Sequence, residues 1–473
     1  MGVTQERVDS VEDESVADGE FDVLVLGAGS GGYACALRAA QLGLTVGLVE
    51  KGDLGGTCLH VGCIPTKALL HAAEVADSAR EASAFGVTAT LEGIDMAGVN
   101  AYKDKVVQRL FKGLAGLITS RGITVIEGEG TVTGPRTVTV DGTAYTGKAL
   151  VLASGSYSKS LPGLTVDGER VLTSEHALRL DRVPASAIVL GGGVIGCEFA
   201  SVWKSFGADV TIIEALPRLV AGEDEASSKA LERSFRKRKI NFLTGTAFES
   251  VATTETGVAV TVAGGKVVEA ELLLVAVGRG PSTDGLGYAE QGIEMERGFV
   301  LADERCRTNV EGVYAVGDIV PGLQLAHRGF QQGIFVAEHI AGLDPRPIDE
   351  TGIPRVTYSH PEIASVGLDE AAARELHGDA VTTVTYDLGG NGKSQILQTA
   401  GFVKLVGLTD GPVLGVHMVG DRVGELIGEA QLIYNWEAHA EDVAPLLHAH
   451  PTQNEALGEA HLALAGKPLH AHS

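Results

Sequence analysis

Cys58 and Cys63 stand five positions apart in the segment Gly55-Gly56-Thr57-Cys58-Leu59-His60-Val61-Gly62-Cys63-Ile64-Pro65-Thr66-Lys67. That spacing predicts two sulfurs one turn and a fraction apart at a helix start, close enough to form a disulfide. The N-terminal end of a helix favours anions, so it lowers a thiol pKa and holds the thiolate that attacks sulfur. Two cysteines alone are weak grounds, because cysteine more often serves as a small core residue. What separates redox work from packing is the set of elements around the pair.

Just before it, Phe21-Asp22-Val23-Leu24-Val25-Leu26 is a continuous apolar run suited to a buried parallel strand. Gly27-Ala28-Gly29-Ser30-Gly31-Gly32 follows, then a helical stretch to about Leu42 and a second strand, Thr45 to Val49, ending at Glu50. Gly27 permits the tight turn, Gly29 lets backbone approach a pyrophosphate, and Gly32 allows helix and strand to pack closely. The helix N-terminus meets phosphate, and Glu50 accepts ribose hydroxyls. The construction recurs at Ala187 to Leu190, then Gly191-Gly192-Gly193-Val194-Ile195-Gly196, with the strand Asp209 to Ile213 ending at Glu214. From first glycine to acid there are 23 residues in each copy. A strand, a helix and a correctly spaced acid around each copy make two dinucleotide sites the expectation. A carboxylate repels a 2′-phosphate, so Glu214 predicts NAD rather than NADP at the second site. Arg218, after Pro217, is expected to face solvent.

At 473 residues, three or four domains are expected. The 63 glycines point to many tight turns, and the net charge of −24 without a basic stripe argues against nucleic acid or an anionic membrane as main partner. No apolar run reaches the length of a membrane span, and no signal segment opens the chain. Residues 1–20 are acidic and read as a disordered leader. Cys35, Cys58, Cys63, Cys197 and Cys306 form no secreted disulfide framework, so a cytoplasmic protein is expected.

With two dinucleotide folds flanking a Cys-x4-Cys pair, the chain resembles the pyridine nucleotide-disulfide oxidoreductases from about residue 21 to 467. Within them it is similar to the dihydrolipoamide dehydrogenase branch. Further stretches carry the likeness: Ala153-Ser154-Gly155-Ser156, Val277-Gly278-Arg279-Gly280-Pro281, and Gly312-Val313-Tyr314-Ala315-Val316-Gly317-Asp318 followed by Leu325-Ala326-His327-Arg328. Asn391 to Leu397 and Arg328 to Gly333 look like actinobacterial members. The resemblance implies an α/β fold with two Rossmann-like dinucleotide-binding domains, for FAD and NAD, plus a C-terminal α+β dimerisation domain. Its implied boundaries are 21–162 for FAD, 163–282 for NAD, 283–353 for a central stretch completing the FAD site, and 354–473 for the interface. For FAD it points to Gly27, Gly29, Gly32, Glu50, Lys51, Gly56, Thr57, Lys67, Gly130, Ser154, Gly155, Ser156, Asp318, Leu325, Ala326 and His327. For NAD it points to Gly191, Gly193, Val194, Ile195, Gly196, Glu198, Glu214, Val251, Gly278 and Arg279. Lys67 is implied to pair with Glu198.

Near the C-terminus, His450 is followed by proline, and Glu455 lies five residues on. A dithiol must lose protons before it attacks, and a histidine backed by a carboxylate suits that task. By resemblance His450 and Glu455 are that pair, reaching the disulfide of the other subunit of a homodimer. The implied activity is oxidation of a dihydrolipoyl dithiol with NAD as final acceptor: Cys58 meets substrate, and Cys63 faces the flavin. Lipoyl domains of an acyltransferase core, or a glycine-cleavage lipoyl carrier, are the implied partners. The competing readings are a disulfide or quinone reductase with the same apparatus, or a docking subunit; intact Cys58, Cys63, His450 and Glu455 speak against the last.

The remaining candidates have blander readings. His448-x-His450 has no third ligand at metal spacing, so no metal is expected, and His470-x-His472 sits in the last four residues. His60 reads as a solvent-facing polar residue, Cys35 and Cys197 as packing residues, and Asp421 as structural. Cys306 and His360 have no evident role.

Overall fold

The computed structural model describes residues 19–470. The apolar run after Asp22 forms the strand Glu20–Leu26, whose Val23, Leu24 and Val25 are fully buried. Glu20, placed in the leader by sequence, already belongs to this strand; the rest of the leader up to residue 18 lies outside the described residues. Parallel neighbours are Val46–Glu50 on one side and Thr143–Leu152 on the other, with Thr124–Glu127 beyond Val46–Glu50. The long strand Thr143–Leu152 serves twice. Its start pairs antiparallel with Thr137–Val140, which pairs with Gly130–Gly134, and its end pairs in parallel with Val313–Ala315. Sequence far downstream thus completes the first sheet.

The helix Ser30–Gln41 lies against this sheet and against the helix Ala326–Ile340. Glycine is required at the turn: Gly27 has φ of 102°, and a Cβ on Gly32 would fall 1.8 Å from the Gly27 carbonyl oxygen.

The second sheet is wholly parallel, in the order Asn241–Leu243, Asp209–Ile213, Ser186–Leu190, Leu272–Val275, Val171–Leu172. A three-stranded antiparallel sheet, Phe248–Thr253, Val258–Val262 and Lys266–Ala270, shares its apolar core. Ser156–Ser158 and Arg279–Pro281 pair antiparallel where the chain leaves the first sheet and returns. The C-terminal region is a five-stranded antiparallel sheet, Arg355–Thr357, Glu362–Gly367, Val413–Gly420, Phe402–Leu408 and Val381–Asp387, covered by the helices Val423–Asn435 and Glu455–Leu464. A first sheet with a parallel core and an antiparallel extension, a wholly parallel second sheet and a C-terminal α+β layer match the expected fold class. Among the described residues no helix is long and apolar enough to cross a membrane.

Candidate redox site

The two cysteines sit on two helices, not at the start of one. Cys58 lies in the short helix Gly56–His60, the chain breaks at Val61 and Gly62, and Cys63 opens the long helix Cys63–Glu81. The break is what brings the sulfurs together as free thiols within hydrogen-bonding reach. Gly62 is needed there, since a Cβ would lie 2.8 Å from the Thr57 carbonyl oxygen. The pair is polarised. Cys63 is lowered to about 7 by the hydrogen bond from Cys58, with Lys67 helping against burial. Cys58 is pushed strongly upward by the same bond and by burial. One sulfur is poised as thiolate and the other as thiol.

Lys67, one helical turn after Cys63, donates from Nζ to both Glu198 oxygens at 2.9 Å. Glu198 is nearly inaccessible and also accepts the Tyr358 backbone N–H at 3.0 Å. The Tyr358 ring lies under the ammonium, 4.7 Å from its centroid. Glu198 belongs to the helix Val194–Phe206, which follows the second glycine turn. The lysine beside the thiolate is therefore fastened to the NAD-side helix.

Both glycine loops are oriented alike. Glu50 accepts the N–H groups of Ala28 and Gly52 at 2.7 and 2.8 Å; Glu214 accepts those of Gly192 and Leu216 at 2.5 and 2.7 Å. A Cβ on Gly29 or Gly193 would enter open space, which leaves backbone N–H groups facing a cradle with room for phosphate. Gly56 abuts the first loop, where its Cβ would be 2.8 Å from Gly29 Cα, so Thr57 and Cys58 begin beside that cradle. Gly155 and Gly278 have positive φ and open space ahead of them. Val194 is exposed at the start of its helix, with Ile195 turned partly inward.

Not every expected cofactor residue points the same way. Arg279 binds Ser156 through Oγ and backbone oxygen at 2.8 and 2.7 Å, and Ser158 Oγ at 3.2 Å. Ser156 in turn donates to Asp318 at 2.5 Å. Arg279 thus forms one hydrogen-bonded group with Ser156, Ser158 and Asp318. Ser154 is held by the Ser282 carbonyl and Tyr288 hydroxyl. Leu325 caps the helix that Ala326 opens, and His327 Nε2 lies 2.8 Å from the Pro354 carbonyl. Lys51 pairs with Glu129 at the surface, Gly130 is a buried strand residue against Leu26, Val49 and Val138, and Val251 lies in the antiparallel sheet.

His450 Nδ1 lies 2.8 Å from Glu455 Oε1, and Glu455 Oε2 accepts the Thr452 N–H at 2.7 Å. Burial opposes ionisation of Glu455, but Thr452 and His450 outweigh it and lower its pKa. An ionised carboxylate can only accept, so Nδ1 carries a proton. The His450 side chain is 78 % exposed.

His448 Nε2 lies 2.9 Å from Glu429 Oε1, and no group of three or more histidine, cysteine or acidic side chains that could hold a metal occurs among the described residues. His60 is half-buried, bonded to the Leu54 carbonyl at 2.9 Å and edge-on to Phe111, rather than solvent-facing. Arg218 turns inward to the Ala221 and Glu223 carbonyls, contrary to the solvent-facing expectation. Cys35 and Cys197 are buried, as is Cys306, which shares Cys35's apolar cluster. His470 binds Glu459, and His472 lies outside the described residues. Sequence reasoning missed Tyr33 and Tyr358. Tyr33 is pushed to about 12 by burial and by its nearness to both thiols. Its one signal is its place a turn into the first glycine-loop helix.

Residues 21–333 match the pyridine nucleotide-disulphide oxidoreductase family, and residues 353–461 match the dimerisation domain of that name. The chain belongs to the pyridine nucleotide-disulphide oxidoreductases. It is 41 % identical over 471 residues to the dihydrolipoyl dehydrogenase of Bacillus subtilis, covering 95 % of this chain and 99 % of the relative. The dihydrolipoyl dehydrogenase of Chlorobaculum parvum is 43 % identical over 93 % of this chain and 96 % of its own. Among solved structures, LpdA of Mycobacterium tuberculosis superposes with a TM-score of 0.87 at 27 % identity, covering 93 % of this chain and 99 % of that one. As a member of this family the chain is an NAD-dependent oxidoreductase with FAD and NAD as cofactors, and the two open glycine cradles fit them.

Proposed function

We propose that this chain is a dihydrolipoyl dehydrogenase, oxidising lipoyl-bound dithiols with NAD as final acceptor. The observation that carries it is the polarised Cys58–Cys63 pair joined through Lys67 and Glu198 to the NAD-side helix. The dihydrolipoyl dehydrogenases at about 40 % identity support the substrate. FAD, when bound, accepts electrons from the thiol pair, and NAD receives them as hydride.

The protein's own residues do the proton and sulfur work. His450 Nε2 takes a proton from the incoming dithiol, and Glu455 stabilises the imidazolium that results. The substrate thiolate attacks Cys58 of the oxidised pair, breaking the Cys58–Cys63 bond and leaving Cys63 as the thiolate beside Lys67. The second substrate thiol then displaces Cys58 and closes the lipoyl disulfide. The contacts of His450 lie within the C-terminal region, with Glu455 and near Gly392, and its exposed face supports a reach to the partner subunit's thiols. Gly27, Gly29, Gly32, Glu50, Gly56, Thr57, Ser154, Gly155, Ser156 and Asp318 would hold FAD, joined by Arg279. Gly191, Gly193, Val194, Gly196 and Glu214 would hold NAD. Lipoyl domains of an acyltransferase core or of a glycine-cleavage carrier are the partners we assign. We place the protein in the cytoplasm, where its other cysteines stay reduced.

Dihydrolipoamide-dependent NADH formation by the flavin-loaded protein tests the reading. Turnover is expected, and a folded, flavin-loaded protein with none would sink it. Glu214→Arg is expected to weaken NAD use; unchanged NAD kinetics would remove Glu214 from the site.

A further inference from the structure

The helix Cys63–Glu81 touches the NAD-side helix Val194–Phe206 at a second place, far from the thiols. Asp77 stands ten positions beyond Lys67, about 15 Å along the helix. Its Oδ2 accepts the Ser205 hydroxyl at 2.5 Å and Arg238 at 3.3 Å. Arg238 also donates to Ser205 Oγ at 2.7 Å. Arg80 binds Asp77 and donates to the Ser205 carbonyl at 2.7 Å. From the C-terminal region, the His360 carbonyl accepts Arg238 at 3.1 Å, and its N–H donates to Ser201 Oγ at 3.2 Å. Ser201 and Ser205 are buried, Asp77 accepts from three side chains, and Arg238 donates four hydrogen bonds. Its members come from three regions of the chain.

The pairings Lys67–Glu198 and Asp77–Ser205 advance together, so the two helices run in the same direction. Their N-termini, one bearing Cys63 and the other following the Gly191–Gly193 turn, consequently lie at the same end of the helix pair. Between the two attachments Leu69 and Ala73 share an apolar core with Phe199, Ala200 and Trp203; these contacts are non-directional, so the ion pair at one end and the polar junction at the other are what fix the register and angle of the helices. We propose that the Asp77–Ser205–Arg238 junction is a positioning device that aligns the NAD site with the redox centre. None of its side chains touches the thiols or the glycine loops. The assignment rests on the NAD end of the proposed function and not on the identity of the dithiol.

The test uses the flavin-loaded enzyme, anaerobic stopped flow and two separate reductants, followed by flavin absorbance. NADH alone reports the nucleotide side, and dihydrolipoamide alone reports the thiol side. Ser205→Ala and Asp77→Asn are expected to slow reduction by NADH about tenfold, since small misplacements of reacting groups carry large rate costs. Reduction by dihydrolipoamide should stay within about twofold, because the thiols and Lys67 are untouched. Amide exchange should rise in residues 194–206 and not in the strand Phe402–Leu408. Unchanged NADH reduction in both variants, or an equal fall with both reductants, overturns the proposal. Should wild-type enzyme ignore dihydrolipoamide, the proposed substrate fails while the NADH comparison still decides the junction.

Discussion

His450 has one ring nitrogen committed to Glu455 and the other open to solvent, the asymmetry that the proposed base requires. Glu455→Gln keeps a hydrogen bond but removes the charge that supports an imidazolium. Dithiol-driven turnover is expected to fall about 100-fold, within the range for general acid–base groups, while NADH reduction of the flavin persists. Steady-state rates alongside stopped flow would show it; equal loss in both would mean a folding defect. Glu362 offers a residue-scale test of stability. Burial, with Asp421 and Glu425 nearby, raises it to about 7. The unfolded chain ionises this acid near 4.5, so the native state holds the extra proton between those values and loses stability as pH rises through them. Glu362→Gln should therefore melt higher than the parent above pH 7, with the gap closing toward pH 4.5. The cysteine pair and the acids Glu50 and Glu214 were legible because spacing along the chain exposes them, whereas the pairings of His450 with Glu455 and Lys67 with Glu198 came from the family resemblance. Tyr358 was not, because its contact with Lys67 joins residues almost 300 positions apart.

At the scale of elements, sequence and structure part at Gly62. Reading a single helix start overlooked that Val61 and Gly62 leave helical geometry, Gly62 capping the start of Cys63–Glu81 in a place with no room for a Cβ, which separates Gly56–His60 from Cys63–Glu81. The consequence is chemical: Cys63, not Cys58, occupies the first turn of the long helix, one turn from Lys67. Lys67 lowers the Cys63 thiol, so Lys67→Met should move its alkylation midpoint upward by about one pH unit. The pH profile of iodoacetamide labelling of reduced protein measures this, and an unmoved midpoint would remove lysine from the thiolate's support. The glycine loops were readable down to their acids, because each strand–turn–helix unit closes within 23 residues.

At the scale of the molecule, the sheets were foreseeable and the joints between them were not. Buried Lys404, on the C-terminal sheet, binds Asp224 at 2.9 Å and Glu370 at 2.8 Å, while Ser365 donates to Glu223 at 2.5 Å. These pairs fasten the NAD-side region through residues up to 180 positions apart, a separation at which local pattern carries no information. Lys404→Met would leave Asp224 buried beside a second acid without its cation. A loss of about 3 kcal/mol in urea unfolding is expected, as for other broken buried pairs, with far less from an exposed pair such as Lys51–Glu129. Equal small losses from both would show that the joint contributes little.

The outward-facing His450 also has a genetic consequence. If base and thiols of one site come from different chains, a Cys63→Ser chain and a His450→Gln chain are each inactive alone. In a mixed dimer one site carries both lesions and the other carries neither. Co-expressing the two dead proteins should restore about a quarter of wild-type activity under random pairing.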